Sequence, residues 1–360
     1  MISRALKTLA LFSATALQAV FVSAQNSTAC NNSPDLCSRQ YNNVTYLGAH
    51  DAPFLRDSST DFSSSGNQFY NTTRQLSAGV RMLTAQVQYP NGTEDLHVCH
   101  TDCGYLDAGT LESWLGEVKT WMDSNPNDVV TILLVNSVDA TASQLATAYT
   151  SSGMDQYAYT PSSTSATNDW PTLQSLINNG TRAMNFVASL DDNSAAAYLM
   201  SEFTYIFEND YDNSSPTDYS CEVNRPSSLA NQTSSAISSG YMSLMNHFLY
   251  ENLLFGIQAP NETYVTTTNA PSGGVGNLGS AAETCLRAYG KAPTFLLVDF
   301  ANVGPAIDTA DTLNGVSNPT GRTALPNAVL SETSAATTAA PTTATLCLGM
   351  STALLALLLL

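Results

Sequence analysis

Residues 46–54 read YLGAHDAPF, and the fold turns on them. An apolar run from Val44 to Leu47 meets a corner of small residues, Gly48-Ala49. It then presents His50 and Asp51 before Pro53 interrupts regular structure. A strand that delivers a histidine and an acid at its carboxyl end is how an α/β barrel builds a site, because the loops at that end converge on the axis. Histidine takes and returns a proton near neutral pH without help, so the pair is a candidate for acid–base chemistry.

Working outward, apolar runs recur at VRMLTAQV (80–87), LHV (96–98), VVTILLV (129–135), MNFVAS (184–189), YIFE (205–208), YMSLM (241–245) and TFLLVDF (294–300). With the first run they make eight strands. Several are apolar at consecutive positions, as strands buried on both faces are. Helical patterns separate some of them. The clearest is capped by Thr110 and runs to about Asp123, with Leu111, Trp114, Leu115, Val118, Trp121 and Met122 on one face. Others fit Ala140 to Tyr149 and a segment from Trp170-Pro171 to Gly180. Eight strands alternating with helices predict an α/β fold, a (β/α)8 TIM-type barrel, less regular in its second half. There, 209–235 and 258–280 read as long polar loops.

Both ends carry processing signals. Residues 1–24 hold Arg4, Lys7, an apolar run and Val22-Ser23-Ala24, the pattern of a secretory signal peptide. From 318 the chain turns to Ser, Thr, Ala and Pro, a flexible stalk running to 345. It contains small residues at Ser334-Ala335-Ala336 and precedes an apolar tail, 346–360. Together these read as a GPI-attachment signal with Ser334 as the attachment site and the tail removed. One domain, 25–317, remains. Its six cysteines suit a secreted chain held by disulfides. Short spacing favours Cys30–Cys37 and Cys99–Cys103 and leaves Cys221–Cys285; zinc is the alternative, but no C-x2-C pair supports it. Sequons at Asn26, Asn31, Asn43, Asn71, Asn91, Asn179, Asn213, Asn231 and Asn261 predict heavy N-glycosylation. A formal charge of −18 repels phosphate backbones, so nucleic acid is excluded as a partner.

The four histidines are His50, His97, His100 and His247. His97 and His100 lie in LHVCHTDC, and on a strand they would point to opposite faces. Asp299 stands near the end of the eighth strand, next to the first in a barrel, and so beside His50. An acid at the end of an apolar strand is costly unless paired, which supports that pairing.

With these residues in view, the chain resembles the phosphatidylinositol-specific phospholipase C-like phosphodiesterases, in particular their secreted, GPI-anchored fungal branch. The resemblance covers about 40–316. It rests on YLGAHDAPF, AGVRMLTAQV, LHVCHTDC with the helix–strand unit after it, WPTLQSLI, MNHF and FLLVDFANVG. It implies a phosphoric diester hydrolase with His50 as general base, supported by Asp299, and His100 as general acid, supported by Asp51. A substrate hydroxyl would attack the neighbouring phosphodiester of an inositol lipid or glycolipid, with no metal and no cofactor. Gln86 and His247 are further candidates for substrate contact. One departure stands out: where the family's enzymes place a phosphate-binding arginine or calcium ligands, this chain has Thr84 and Gln86. The competing reading is therefore a weakly active or inactive binding protein. Either would be a monomer at the cell surface, held to membrane or wall by its anchor. A glycoside hydrolase using Glu208, Asp210 or Glu251 is a third and more distant reading.

Overall fold

The computed structural model describes residues 29–253 and 258–331. The signal segment, Asn26, Ser334 and the tail 346–360 lie outside the described residues. The strands are β1 Tyr46–Ala49, β2 Met82–Gln88, β3 His97–Cys99, β4 Asp107–Thr110, β5 Val130–Asn136, β6 Ala183–Ala188, β7 Leu199–Ser201, β8 Ile206–Glu208, β9 Met242–Asn246, β10 Tyr250–Asn252, β11 Gln258–Pro260 and β12 Phe295–Val298. Eight run parallel in the order β7-β6-β5-β2-β1-β12-β9-β8. The expected α/β barrel architecture is present as a curled parallel sheet. The first and last strands are neighbours, with Gly48 opposite Leu297 and Ala49 opposite Val298. No ladder joins β7 to β8 among the described residues, so the barrel stays open along one seam.

The membership of the sheet differs from expectation in one place. LHV is not a barrel strand: β3 pairs antiparallel with the far end of β2 and with β4, forming a hairpin beyond the sheet. The eighth parallel strand is Leu199–Ser201. Three residues between a loop and a single helical turn carry no periodicity of their own, and pairing with β6 makes them a strand.

Alternation along the strands sorts the side chains. Tyr46, Met82, Leu133, Phe186, Ile206, Leu244 and Phe295 fill the barrel interior. Their neighbours Leu47, Leu83, Ile132, Val187, Phe207 and Leu296 face the helices. The interior is tight at β1: a Cβ on Gly48 would lie 2.9 Å from Leu297 Cδ1. Continuing the interior parity past the apolar layers reaches His50, Gln86, Glu208, Asn246 and Asp299, all at carboxyl ends. The barrel floor is closed by residues 30–44, where Tyr41 hydrogen-bonds Thr131.

The helix Leu111–Ser124 starts at Thr110, whose hydroxyl accepts the Ser113 N–H, and buries the six apolar residues expected of it. Its two tryptophans are core: Trp114 Nε1 donates to Thr72 and Trp121 Nε1 to Ser77. Burying side chains of this size stabilises by about 1.5–3 kcal/mol each. The next two expected helices run from Ala142 to Ser152 and from Leu173 to Asn179. Arg81 is buried in an ion pair with Asp128 and donates to the Leu76 and Val80 carbonyls, a structural duty.

Composition placed a flexible stalk from 318, but residues 318–331 lie along the domain. Thr323 N–H donates to the Ser77 carbonyl, and Gly304 N–H to Asn327. Leu325, Val329 and Leu330 pack on Phe69, Tyr70 and Phe300. Disulfides join Cys30–Cys37, Cys99–Cys103 and Cys221–Cys285. Among the sequons, Asn43, Asn71, Asn91, Asn179 and Asn231 are exposed and Asn261 is half-buried. Asn31 and Asn213 are buried, and Asn213 Nδ2 donates to the Asp210 and Asn246 carbonyls. A glycan needs that nitrogen in solvent, so burial argues against attachment at these two sequons. No helix among the described residues is long and apolar enough to cross a membrane.

Candidate active site

The carboxyl ends of β1, β2 and β12 bring four of the candidate residues together. His50 Nδ1 donates to Asp299 Oδ1 at 2.9 Å across the β1–β12 pair. Asn67, buried and unnoticed in the sequence, donates to the same oxygen at 2.9 Å. Gln68 Nε2 holds the His50 carbonyl at 2.8 Å. That hydrogen bonding fixes the ring and leaves His50 Nε2 facing the mouth.

Asp51 lies between two imidazoles. Its Oδ2 is 3.7 Å from His50 Nε2 and 3.7 Å from His100 Nε2. The acid expected to support His100 is thus shared with His50, at a separation longer than a hydrogen bond. The two histidine side chains are 14% and 16% exposed, so both remain reachable from solvent. The hydrogen bonds of Asp51 come from β2: Gln86 Nε2 donates to Oδ2 at 2.7 Å, and its own N–H is accepted by Thr84 Oγ1 at 2.8 Å. Gln86 Oε1 accepts the Thr101 N–H at 2.8 Å. Both ends of the Gln86 amide thus bond protein groups, which gives it a positioning duty beside the expected substrate contact, for which one N–H donor remains.

His247 also departs from expectation. It is wholly buried, stacks on Tyr219 with ring centroids 3.9 Å apart, and donates through Nε2 to the Thr268 and Gly276 carbonyls. Burial pushes its pKa down to about 4. Alternation explains the miss: Asn246 faces the barrel and bonds Glu208, so the next residue turns outward. Phe248 instead reaches the site, stacked on the His50 ring at 3.9 Å and 4°. His97 pairs with Asp107 on the outer hairpin. His97, Cys99 and Asp107 approach one another, but the Cys99 sulfur is bonded to Cys103 and offers no thiolate ligand.

Glu208 and Arg225, 17 residues apart, face each other across an isolated bridge. Arg225 Nε and Nη2 both donate to Glu208 Oε2, which also accepts from Asn246. Glu202 is fully buried beside them. Its pKa is pushed up by burial and then by the Glu208 charge. As a carboxylate it would have no donor; protonated, it donates to Glu208.

The two site histidines are pushed apart. Burial opposes charge on His50, but Asp51, Asp299 and the hydrogen bond to Asp299 outweigh it, and the pKa rises above 6.5. On His100 burial prevails over Asp51, helped by the charge of His50, and the pKa falls below 6.5. The free site therefore holds its proton on His50 first. Two imidazoles of unlike proton affinity around one carboxylate can exchange protons with a substrate placed between them.

Comparison with known proteins identifies a family. A family model described as PI-PLC X 1 matches residues 36–314. A PI-PLC X domain-containing protein 1 of Arthroderma benhamiae is 34% identical over 288 residues, 80% of this chain and 90% of that protein. An uncharacterized secreted protein of the same organism is 36% identical over 285 residues, 78% of this chain but 61% of that longer protein. The phosphatidylinositol-specific phospholipase C of Listeria monocytogenes is 14% identical, with a TM-score of 0.49 over 78% of this chain and 95% of that one. The family match spans well over half of the chain, and the chain belongs to the PI-PLC X domain family.

Proposed function

We propose that the protein is a phosphoric diester hydrolase that cleaves an inositol lipid or related surface phosphodiester with two histidines and no metal. The observation that carries the reading is the placement of His50 Nε2 and His100 Nε2 at equal distance from Asp51 Oδ2, with the far side of His50 tied to Asp299. His50 Nε2 takes the proton of a substrate hydroxyl next to the phosphodiester. The freed oxygen attacks phosphorus, the bond to the leaving alcohol breaks, and His100 returns a proton to the departing oxygen. The products are a cyclic phosphate and an alcohol.

These roles need His50 neutral and His100 charged, the reverse of the free site's preference. The anionic diester favours the charged form of a nearby imidazole, so substrate itself helps to charge His100. The productive form is a minority state of the free protein, and the pH profile reports values belonging to the pair. The domain acts outside the cell, consistent with its three disulfides and its secreted relative, and we place it on a GPI anchor.

A second reading, a binding protein without turnover, is favoured by Gln86. It stands in the strand position of the missing cation and brings no positive charge to phosphate, its amide being already bonded to Asp51 and Thr101. The test is hydrolysis of phosphatidylinositol by the purified protein with chelator present. Activity that survives chelator and falls about 10²–10⁴-fold in both His50→Ala and His100→Ala supports the enzyme. No turnover of any phosphodiester by folded protein supports the binding protein.

A further inference from the structure

His50 and Asp51 directly follow β1 and Asp299 directly follows β12, both in the parallel sheet, whereas His100 rides on the appended β3–β4 hairpin. In the loop that carries it, Thr101, Asp102, Gly104 and Tyr105 are exposed, so burial does little to order the segment. The ring itself is loosely held. Its Nε2 stands 3.7 Å from Asp51, its Nδ1 is 3.4 Å from Thr101 Oγ1, and it lies perpendicular to the Phe54 ring with centroids 5.4 Å apart. The firm restraints are on the backbone. His100 N–H donates to the Leu106 carbonyl at 2.9 Å, and Thr101, in the left-handed region at φ 59°, donates to Gln86. Cys99, wholly buried, is bonded to Cys103 across a separation of four residues, and His100 lies inside that small covalent ring.

We propose that the Cys99–Cys103 bridge is a positioning device for His100, holding its imidazole toward Asp51 and His50, and that the barrel stands without it. The inference rests on the general-acid role proposed for His100. Proton delivery needs the ring within about 3 Å of the leaving oxygen, and misplacement by an ångström costs about 100-fold. A loop of exposed residues samples many conformers, and a short covalent ring removes most of them.

The test compares wild type, His100→Ala and the double variant Cys99→Ala/Cys103→Ala on two inositol phosphodiesters. One has an alkyl leaving group; the other has 4-nitrophenol, which departs as a stable anion without a proton. The double variant should lose about 100-fold on the alkyl ester and less than about threefold on the aryl ester, as His100→Ala should. A selective loss in His100→Ala that is missing from the double variant overturns the proposal. If His100→Ala shows no selectivity, or wild type no turnover, the general-acid reading fails instead, and the bridge is judged by NMR titration of the His100 ring. Release of the loop should raise that pKa toward the ordinary imidazole value; an unchanged titration overturns the proposal. A double variant that does not fold overturns it too, because the bridge then serves the fold as a whole.

Discussion

Gln86 Nε2 lies 2.7 Å from Asp51 Oδ2, a hydrogen bond from β2 to the residue two beyond the end of its parallel neighbour β1. Through its other end the same side chain takes the Thr101 N–H. Gln86→Leu keeps the bulk and removes both bonds. Leaving a buried carboxylate without its donor costs about 1–3 kcal/mol, so a fall in melting temperature is expected. Turnover should fall through kcat rather than KM, as Asp51 and the His100 loop both lose their tether. A KM effect alone would instead place Gln86 on the substrate.

Asp299 raises the proton affinity of His50, so Asp299→Asn should lower the His50 pKa in an NMR titration. The sign of the stability effect follows. A histidine with a raised pKa stabilises the fold fully below its unfolded value, and that gain is lost as pH rises through the folded value. The stability gap between wild type and Asp299→Asn should therefore be full below the ordinary imidazole pKa and narrow as pH rises through the raised folded value of His50 in denaturant titrations. A gap that widens with pH contradicts the pairing.

Glu202 gives a second pH signature. Its raised pKa means that stability is complete below the unfolded carboxyl value and declines as pH climbs through the folded one. The charged groups facing it are Glu208 and, through Glu208, Arg225. Glu202→Gln keeps a donor for Glu208 without the titration. Its melting temperature should fall less than that of wild type on the alkaline side.

Arg81 belongs to the frame and not to the chemistry. Breaking a buried ion pair by removing one partner costs about 3–5 kcal/mol. Arg81→Ala should therefore melt well below wild type, while the folded fraction keeps its kcat. A specific loss of kcat in folded Arg81→Ala would bring this residue into the site.

Glycopeptide mass spectrometry of the secreted protein should find glycans at Asn43, Asn71, Asn91, Asn179 and Asn231 and none at Asn31 or Asn213. The two buried asparagines are used inside the fold: Asn31 accepts the Val129 N–H and Asn213 donates to Asn246. Occupancy at either would mean that the segment around it is open in the secreted form.

How far the site was legible follows from where each residue sits. His50 and Asp299 ended long apolar runs, so strand identity and the adjacency of first and last strands placed them side by side. The Leu111–Ser124 helix was equally plain, because its cap and its apolar face agree. His97 and His100 were read as part of a barrel strand because LHV is apolar and short, and only pairing reveals an antiparallel hairpin. His247 drew attention for its chemistry, yet it was Phe248 that reached His50, a matter of strand parity at the end of β9. Asn67 sits in a loop without periodicity, and Arg225 meets Glu208 only after a long excursion; no local pattern marks either.

The open seam between β7 and β8 has a consequence for size. In a closed ring of strands, number and stagger together fix one circumference. A sheet with two free ends obeys no such closure, and its girth follows from side-chain volume and from the loops that tie the ends. Here the ends are tied by the short helix Glu202–Tyr205, whose first residue is the buried acid facing Glu208. The two edges of the sheet are thereby joined through one turn of helix instead of a hydrogen-bonded ladder, so packing and not strand register sets the girth at this seam.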